Sequence, residues 1–274
     1  MNTSTLSFRA YFSYFLMEIR RIIAYKSDFY INFLGVTIIS FFISYSLWQS
    51  IFAFNGLDKL NGMTFNYLIY YSLIAPLSFR IIQGHQIGFL SREIYEGDIN
   101  KYLIYPVSLI RIKFSSYIAQ SMFYFIQLFL LLFIINFLGI SEKTINVSIQ
   151  SVLVYAIFLF ITTVFYYLTQ AIIECIAFWA DNIWSLAVLL RMTVAIFSGA
   201  IIPLNLFPAW SLDLLNYTPF PYLTYLPIKI LFGNSNSLEI LKGILILLAW
   251  SIPISITLKA VLKKGLKNYN GIGM

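Results

Sequence analysis

The 274 residues leave room for one or two domains, but 60% of them are hydrophobic and 11% charged, against roughly 25% charged in a typical soluble domain. That composition excludes a soluble globular fold and predicts an all-α integral membrane protein, a single domain over residues 1–274. The formal charge of +7 does not indicate nucleic acid, because the basic residues are scattered between apolar stretches and at both ends instead of gathering on one face. A lone cysteine, Cys175, and a lone histidine, His85, exclude an intrachain disulfide, a cysteine-rich metal cluster and a multi-histidine zinc site.

Over residues 8–23, Phe8, Tyr11, Phe12, Phe15, Ile19, Ile22 and Ile23 recur at three- and four-residue steps, while Arg9, Ser13, Arg20 and Arg21 fall on the other side. This spacing predicts an amphipathic interface helix over residues 6–30, lying in the headgroup plane with its basic groups toward anionic membrane lipids. An N-terminal extension of the first span is the alternative. Early charges interrupt the apolar pattern before any run of roughly 7–15 greasy residues, so no cleavable leader is expected.

A helix needs about 20 predominantly apolar residues to cross a hydrocarbon core of ~30 Å. Six stretches meet that requirement, near residues 33–54, 67–89, 114–140, 148–173, 183–202 and 238–258. Gly84 and Gly88 near the end of the second form a GxxxG pair that permits close helix packing, or an accidental pair of small residues.

Between the second and third stretches, residues 90–113 form the longest interior polar passage, carrying Arg92, Glu93, Glu96, Asp98, Lys101, Arg111 and Lys113. Such an island must sit in water or against another protein. Ser91 is a candidate N-cap, with Glu93 near the positive helix end; Gly97 ends the turn and Asp98 caps a second short helix. Pro106 stops it by pushing Tyr105 toward an extended backbone. Ile94, Ile99, Tyr102 and Leu103 can face apolar surroundings while Arg92, Glu96 and Lys101 stay wet. The alternative is an ordinary solvated loop.

Residues 203–237 are too apolar for a free loop, yet Pro203, Pro208, Pro219, Pro221 and Pro227 forbid one straight helix. Short re-entrant helices in the outer leaflet, covered by protein or lining a water-filled path, satisfy both facts. Within them Trp210, Tyr222 and Tyr225 are candidates for a substrate gate; most other aromatic residues read as interfacial belts.

Twelve Lys and Arg residues (Arg9, Arg20, Arg21, Lys26, Arg92, Lys101, Arg111, Lys113, Lys259, Lys263, Lys264 and Lys267) fall on one side of a six-span arrangement. Lys59, Lys143, Lys229 and Lys242 fall on the other. Both termini and residues 90–113 are therefore predicted to be cytoplasmic. Arg80, Glu174, Asp181 and Arg191 lie in or near spans, where an Arg or Asp at mid-depth costs about 2.5–3.5 kcal/mol. Arg191 is expected to pair with Glu174 or Asp181, the rival reading being a cavity charge that selects an anionic substrate.

The run Ile94-Tyr95-Glu96-Gly97-Asp98-Ile99-Asn100-Lys101-Tyr102-Leu103-Ile104-Tyr105-Pro106-Val107-Ser108 resembles the cytoplasmic segment of the permeases of ABC-2-type ATP-binding-cassette exporters. The run Ser198-Gly199-Ala200-Ile201-Ile202-Pro203-Leu204-Asn205-Leu206-Phe207-Pro208, followed by Pro219-Phe220, Pro227 and Gly233, is similar to that family's fifth-span exit and outer segment. It looks closest to the six-span branch whose substrate is uncharacterised and whose permeases often occur as two unequal subunits. The resemblance implies a multi-pass exporter subunit of the bacterial cytoplasmic (inner) membrane, paired with a second permease of the same or a related chain. It further implies two ATPase subunits that bind ATP and Mg and pull on a coupling element made of Arg92, Glu93, Ile94, Glu96, Gly97, Asp98, Lys101 and Tyr102. In that element Ile94 and Tyr102 would be apolar knobs seated in an ATPase groove. Gly199, Pro203, Pro208, Trp210, Pro219, Tyr222 and Tyr225 would form the outer gate.

This chain has no GxxxxGK[ST] loop, so it is expected to bind no nucleotide cofactor itself and not to be an enzyme. Ser198-Gly199 and His85 are similar to the pair of intramembrane rhomboid proteases, but Ile196 stands where a glycine is needed, and the predicted spans place the two residues at opposite faces. The alternative function is an ATP-independent secondary transporter or channel. Inverted repeats would favour it, and residues 30–140 and 145–265 show no convincing similarity.

Overall fold

A computed structural model describes residues 3–56, 58–84, 88–103, 107–137, 145 and 147–269. Regular structure among them is helical, apart from an isolated bridge between Leu60 and Met63. Helix α1 (Thr3–Ala24) ends at Tyr25, whose turn conformation separates it from α2 (Lys26–Asn55). The first helix thus begins earlier and ends earlier than the interface helix predicted over residues 6–30. Gly56, in the left-handed region, closes α2 by donating its N–H to the Phe52 carbonyl.

Helix α3 (Phe65–Gln83) starts at the Thr64 side chain, which accepts from the Tyr67 N–H. Two short helices follow, α4 (Phe89–Tyr95) and α5 (Asn100–Leu103). The long α6 (Leu109–Phe137) and α7 (Ile149–Cys175) come next, α7 opening with a reciprocal Ser148–Ser151 capping box. After α8 (Trp184–Phe197), α9 (Ala209–Leu215) and α10 (Tyr225–Leu231), the chain ends in α11 (Ser237–Asn268), capped by Asn236.

Five of these helices contain stretches long and apolar enough to cross a membrane: Phe33–Asn55, Phe65–Gln83, Leu109–Ile134, Ile149–Phe178 and Ser237–Asn268. The predicted fifth span, 183–202, is instead the 14-residue α8. At 1.5 Å per residue that helix covers about 21 Å. It stops early because Gly199 takes φ +81° and the N–H groups of Ala200 and Ile201 fold back onto the Ala195 carbonyl.

The bundle has two distinct ends. At one, α4, α5, the start of α6, the end of α7, the short turn Ile176–Phe178 and the last turns of α11 share a buried cluster that includes Ile94, Ile99, Ile112, Cys175 and Leu258. At the other, α10 packs on α3 and α7, with Ser151 at the start of α7 donating to the Leu231 carbonyl. The 27 residues of α7 separate these ends by about 40 Å. Helix α8 leads from Ile183 in the first cluster to Ser198, which meets Thr224 near the second. Gly265 of α11 lies against the Phe178 ring, where an added Cβ would come within 2.2 Å of a ring carbon.

Candidate functional site

The charged passage is built as a helix, a tight turn and a second short helix. Its first helix takes Gly88 as its N-cap, three residues before the expected Ser91, and Ser91 is buried inside it instead of capping it. The cap comes from another element. The Glu174 carboxylate at the end of α7 accepts the Leu90 N–H at 2.6 Å and the Gln170 amide at 2.8 Å. Negative charge at the first turn of a helix is favoured by its dipole as well as by the hydrogen bond. Gly97, at φ +78°, makes the turn that ends the first helix, as anticipated. Pro106 and Tyr105 lie outside the described residues.

Glu93 is the hub. Its carboxylate pairs with the Lys113 ammonium, lies 3.3 Å from Lys101 Nζ and accepts the Tyr102 hydroxyl at 3.1 Å. Lys113, on the first turns of α6, is 3% exposed and its Nζ sits 3.8 Å from the centre of the Phe89 ring. A cavity of about 20 Å³ beside it is bounded by Tyr117, Gln170 and Glu174. Burial, reinforced by the neighbouring Glu93 charge, pushes the Tyr102 hydroxyl well above its ordinary range, so it remains a donor at neutral pH. For Lys101 burial acts downward, but the hydrogen bond to Asp98 and the Glu93 charge outweigh it and raise its pKa overall.

The two sides of this segment differ sharply. Ile94 and Tyr102 are 4% and 6% exposed within the chain's own core, so neither is free to serve as a knob for a partner's groove. The reason is local: Ile94, Ile99 and Tyr102 are the residues that seat the short helices on α6 and α7. Arg92, Glu96, Asp98 and Lys101 form the exposed side, where Arg92 Nε meets Glu96 Oε1 at 2.7 Å and Lys101 Nζ meets Asp98 Oδ2 at 3.2 Å. Helix α1 borders the same end: the Tyr11 hydroxyl accepts the Ser108 N–H at 3.2 Å, and the Tyr14 and Tyr102 rings approach to 6.3 Å.

At the opposite end the proline-rich segment forms short turns and helices, as its composition predicts. Pro203 and Pro208 each precede one of them, and Pro219 precedes the turn Phe220–Tyr222. Gly199 is pinned by the buried Tyr71 hydroxyl, which donates to its carbonyl at 2.7 Å, and by Tyr225, whose N–H reaches the Ser198 carbonyl at 2.9 Å. Tyr222 is buried and donates to the Asn216 carbonyl at 2.9 Å; Tyr225 donates to Asn205 Oδ1. Trp210 stands apart, 73% exposed, so the three aromatic gate candidates do not converge.

Among the described residues no ion pair joins Arg191 to Glu174 or Asp181. Glu174 is engaged by α4 and Gln170, Asp181 is exposed in the α7–α8 link, and Arg191 lies half-buried on α8. Arg80 lies 5.5 Å from the Tyr124 ring centre in a cation–π contact. Gly84 ends α3 against the Tyr117 ring, so its small size serves packing on α6. Ser198 hydrogen-bonds Thr224 at 3.1 Å, while His85 lies outside the described residues. Lys113 belongs to the polar passage expected in water or against another protein, yet it is buried; its flanking Ile112 and Phe114 are the sign in the sequence that it enters the apolar bundle.

The helices and their apolar lengths define a multi-pass, all-helical membrane protein. The model of the ABC-2 family transporter proteins matches residues 34–273, nearly everything after α1, and the chain belongs to that family. Its members are membrane components, generally not catalytic themselves, that associate in general with an ABC ATPase. No curated protein matches the chain at a significant level.

Proposed function

We propose that the chain is a permease subunit of an ATP-binding-cassette exporter and that α4 and α5 are its coupling element. It crosses the bacterial cytoplasmic membrane six times, the 14-residue α8 together with the apolar turns that follow it making up the fifth pass, with both termini and the α4–α5 end in the cytoplasm. Two ATPase subunits, carrying ATP and Mg, act on the exposed edge of α4 and α5. A second permease, the same or a related chain, completes the path.

One observation carries this reading: a short charged element is joined at both its start and its middle to long apolar helices. Leu90 is held by Glu174 of α7, and Glu93 is held by Lys113 of α6. A push on Arg92, Glu96 or Lys101 from a soluble partner therefore reaches α6 and α7 through short, strong contacts instead of being absorbed by a slack loop. The basic residues Arg92, Lys101, Arg111 and Lys259 at this end agree with a cytoplasmic placement.

The test uses the exposed Arg92–Glu96 pair. Arg92→Glu and Glu96→Arg are each expected to lower ATPase stimulation severalfold in proteoliposomes containing the complete transporter. The double exchange restores the local ion pair with its polarity reversed. Continued loss in the double variant supports recognition by the ATPase. Full recovery means the pair only stabilises its own helix, and unchanged stimulation in all three removes the coupling assignment.

A further inference from the structure

At the end of the bundle away from α4 and α5, a cavity of about 340 Å³ opens between α9, the Phe220–Tyr222 turn, α10 and the first turns of α11. Its charged wall consists of Lys229 from α10 with Glu239 and Lys242 from α11. Lys229 Nζ lies 2.8 Å from each oxygen of Glu239, so that pair is internally neutral. Lys242 follows Glu239 by three positions and therefore shares its helix face. It is exposed, and among the described residues it has neither an ion-pair partner nor a side-chain hydrogen bond. The wall carries one uncompensated positive charge.

Apart from the exposed Asn216 amide, the remaining lining is largely apolar or already hydrogen-bonded. Leu212 and Leu226 contribute aliphatic surface, and the hydroxyls of Tyr222 and Tyr225 are committed to Asn216 and Asn205. On the same first turns of α11, Leu238, Leu241 and Leu245 are 76%, 53% and 57% exposed, an apolar surface suited to acyl chains. A pocket with a spare ammonium, a second ammonium held by a displaceable carboxylate, and an apolar wall matches an amphiphile with a negatively charged head.

We infer that this cavity binds the phosphate group of an anionic amphiphile, with Lys242 as its first contact and Lys229 recruited when the anion competes with Glu239. The same phosphate chemistry could be offered by a phospholipid headgroup or by a soluble phosphate ester. The inference does not depend on coupling to an ATPase, so it stands or falls separately from the function proposed above.

The experiment is native mass spectrometry of the full chain released from nanodiscs of phosphatidylcholine containing a titrated fraction of phosphatidylglycerol, with glycerol 3-phosphate as soluble competitor. Lys242→Gln is expected to weaken phosphatidylglycerol retention roughly tenfold, the scale of one charge-assisted hydrogen bond. Glu239→Gln, which releases Lys229, is expected to strengthen it. Lys59→Gln, an exposed lysine outside the cavity, is expected to leave it unchanged. Loss of retention in Lys242→Gln without competition by glycerol 3-phosphate assigns a lipid ligand. Competition by the soluble ester, with the same dependence on Lys242, assigns a soluble phosphate ligand. Equal retention by the unaltered protein and Lys242→Gln, or an equal loss in Lys59→Gln, overturns the site.

Discussion

Lys113 and Glu93 face each other where water is scarce, and the consequences of removing either are not symmetrical. Glu93→Gln leaves an ammonium that is 3% exposed without its paired carboxylate, a change expected to cost on the order of 3–5 kcal/mol. Lys113→Met leaves Glu93 still in contact with Lys101 and Tyr102, so the penalty is smaller. Thermal unfolding of the two variants in the same detergent checks the order; equal losses would show that the pair does not carry the asymmetry. Gly199 offers a second test at this scale. Its φ of +81° disfavours any side chain, and a Cβ there would lie 2.8 Å from the Tyr71 hydroxyl. Gly199→Ala is expected to destabilise by about 1–3 kcal/mol in the same assay.

Among the elements, α4 depends on a neighbour for its start. With Gly88 at its N-cap and no side-chain cap of its own, its first turn relies on Glu174. Glu174→Leu removes that acceptor and is expected to accelerate amide exchange over residues 88–103 about tenfold, leaving 225–231 unchanged. Acceleration everywhere would mean general loosening instead. This dependence also explains what the sequence could and could not reveal. Apolar run length located α2, α3, α6, α7 and α11, because crossing a membrane imposes a length that any reader can count. The break at Gly97 and the proline-broken segment were legible because both rest on local backbone chemistry. The Glu174 cap was not, since it joins residues 84 positions apart. Ile94 and Tyr102 were correctly read as seeking apolar surroundings, but amphipathic spacing does not say whether that surface belongs to the same chain or to a partner. Helix α8 was overestimated because Ser198–Ile202 remains apolar after the backbone has turned.

Across the whole molecule, two ends of different chemistry are separated by the length of α7. One carries the charged edge of α4 and α5 together with the basic last turns of α11; the other carries the proline-broken segment and the lysine-bearing cavity. Of the five long apolar helices α2 is the least enclosed, and it presents Ile38, Ile39, Phe42 and Ile43 outward. That apolar surface suits lipid, while α3, α6, α7 and α11 pack together as the body that joins the two ends.

The membrane sidedness of those two ends decides the account, and the chain's lone cysteine makes it measurable. Cys175 is fully buried, so it gives little background to a membrane-impermeant maleimide. With Glu96→Cys and Trp210→Cys introduced singly, labelling in intact cells is expected at position 210 and absent at position 96, with position 96 reacting once the membrane is opened. Labelling of position 96 from outside intact cells would put the charged edge on the wrong face for a cytoplasmic ATPase and contradict the account.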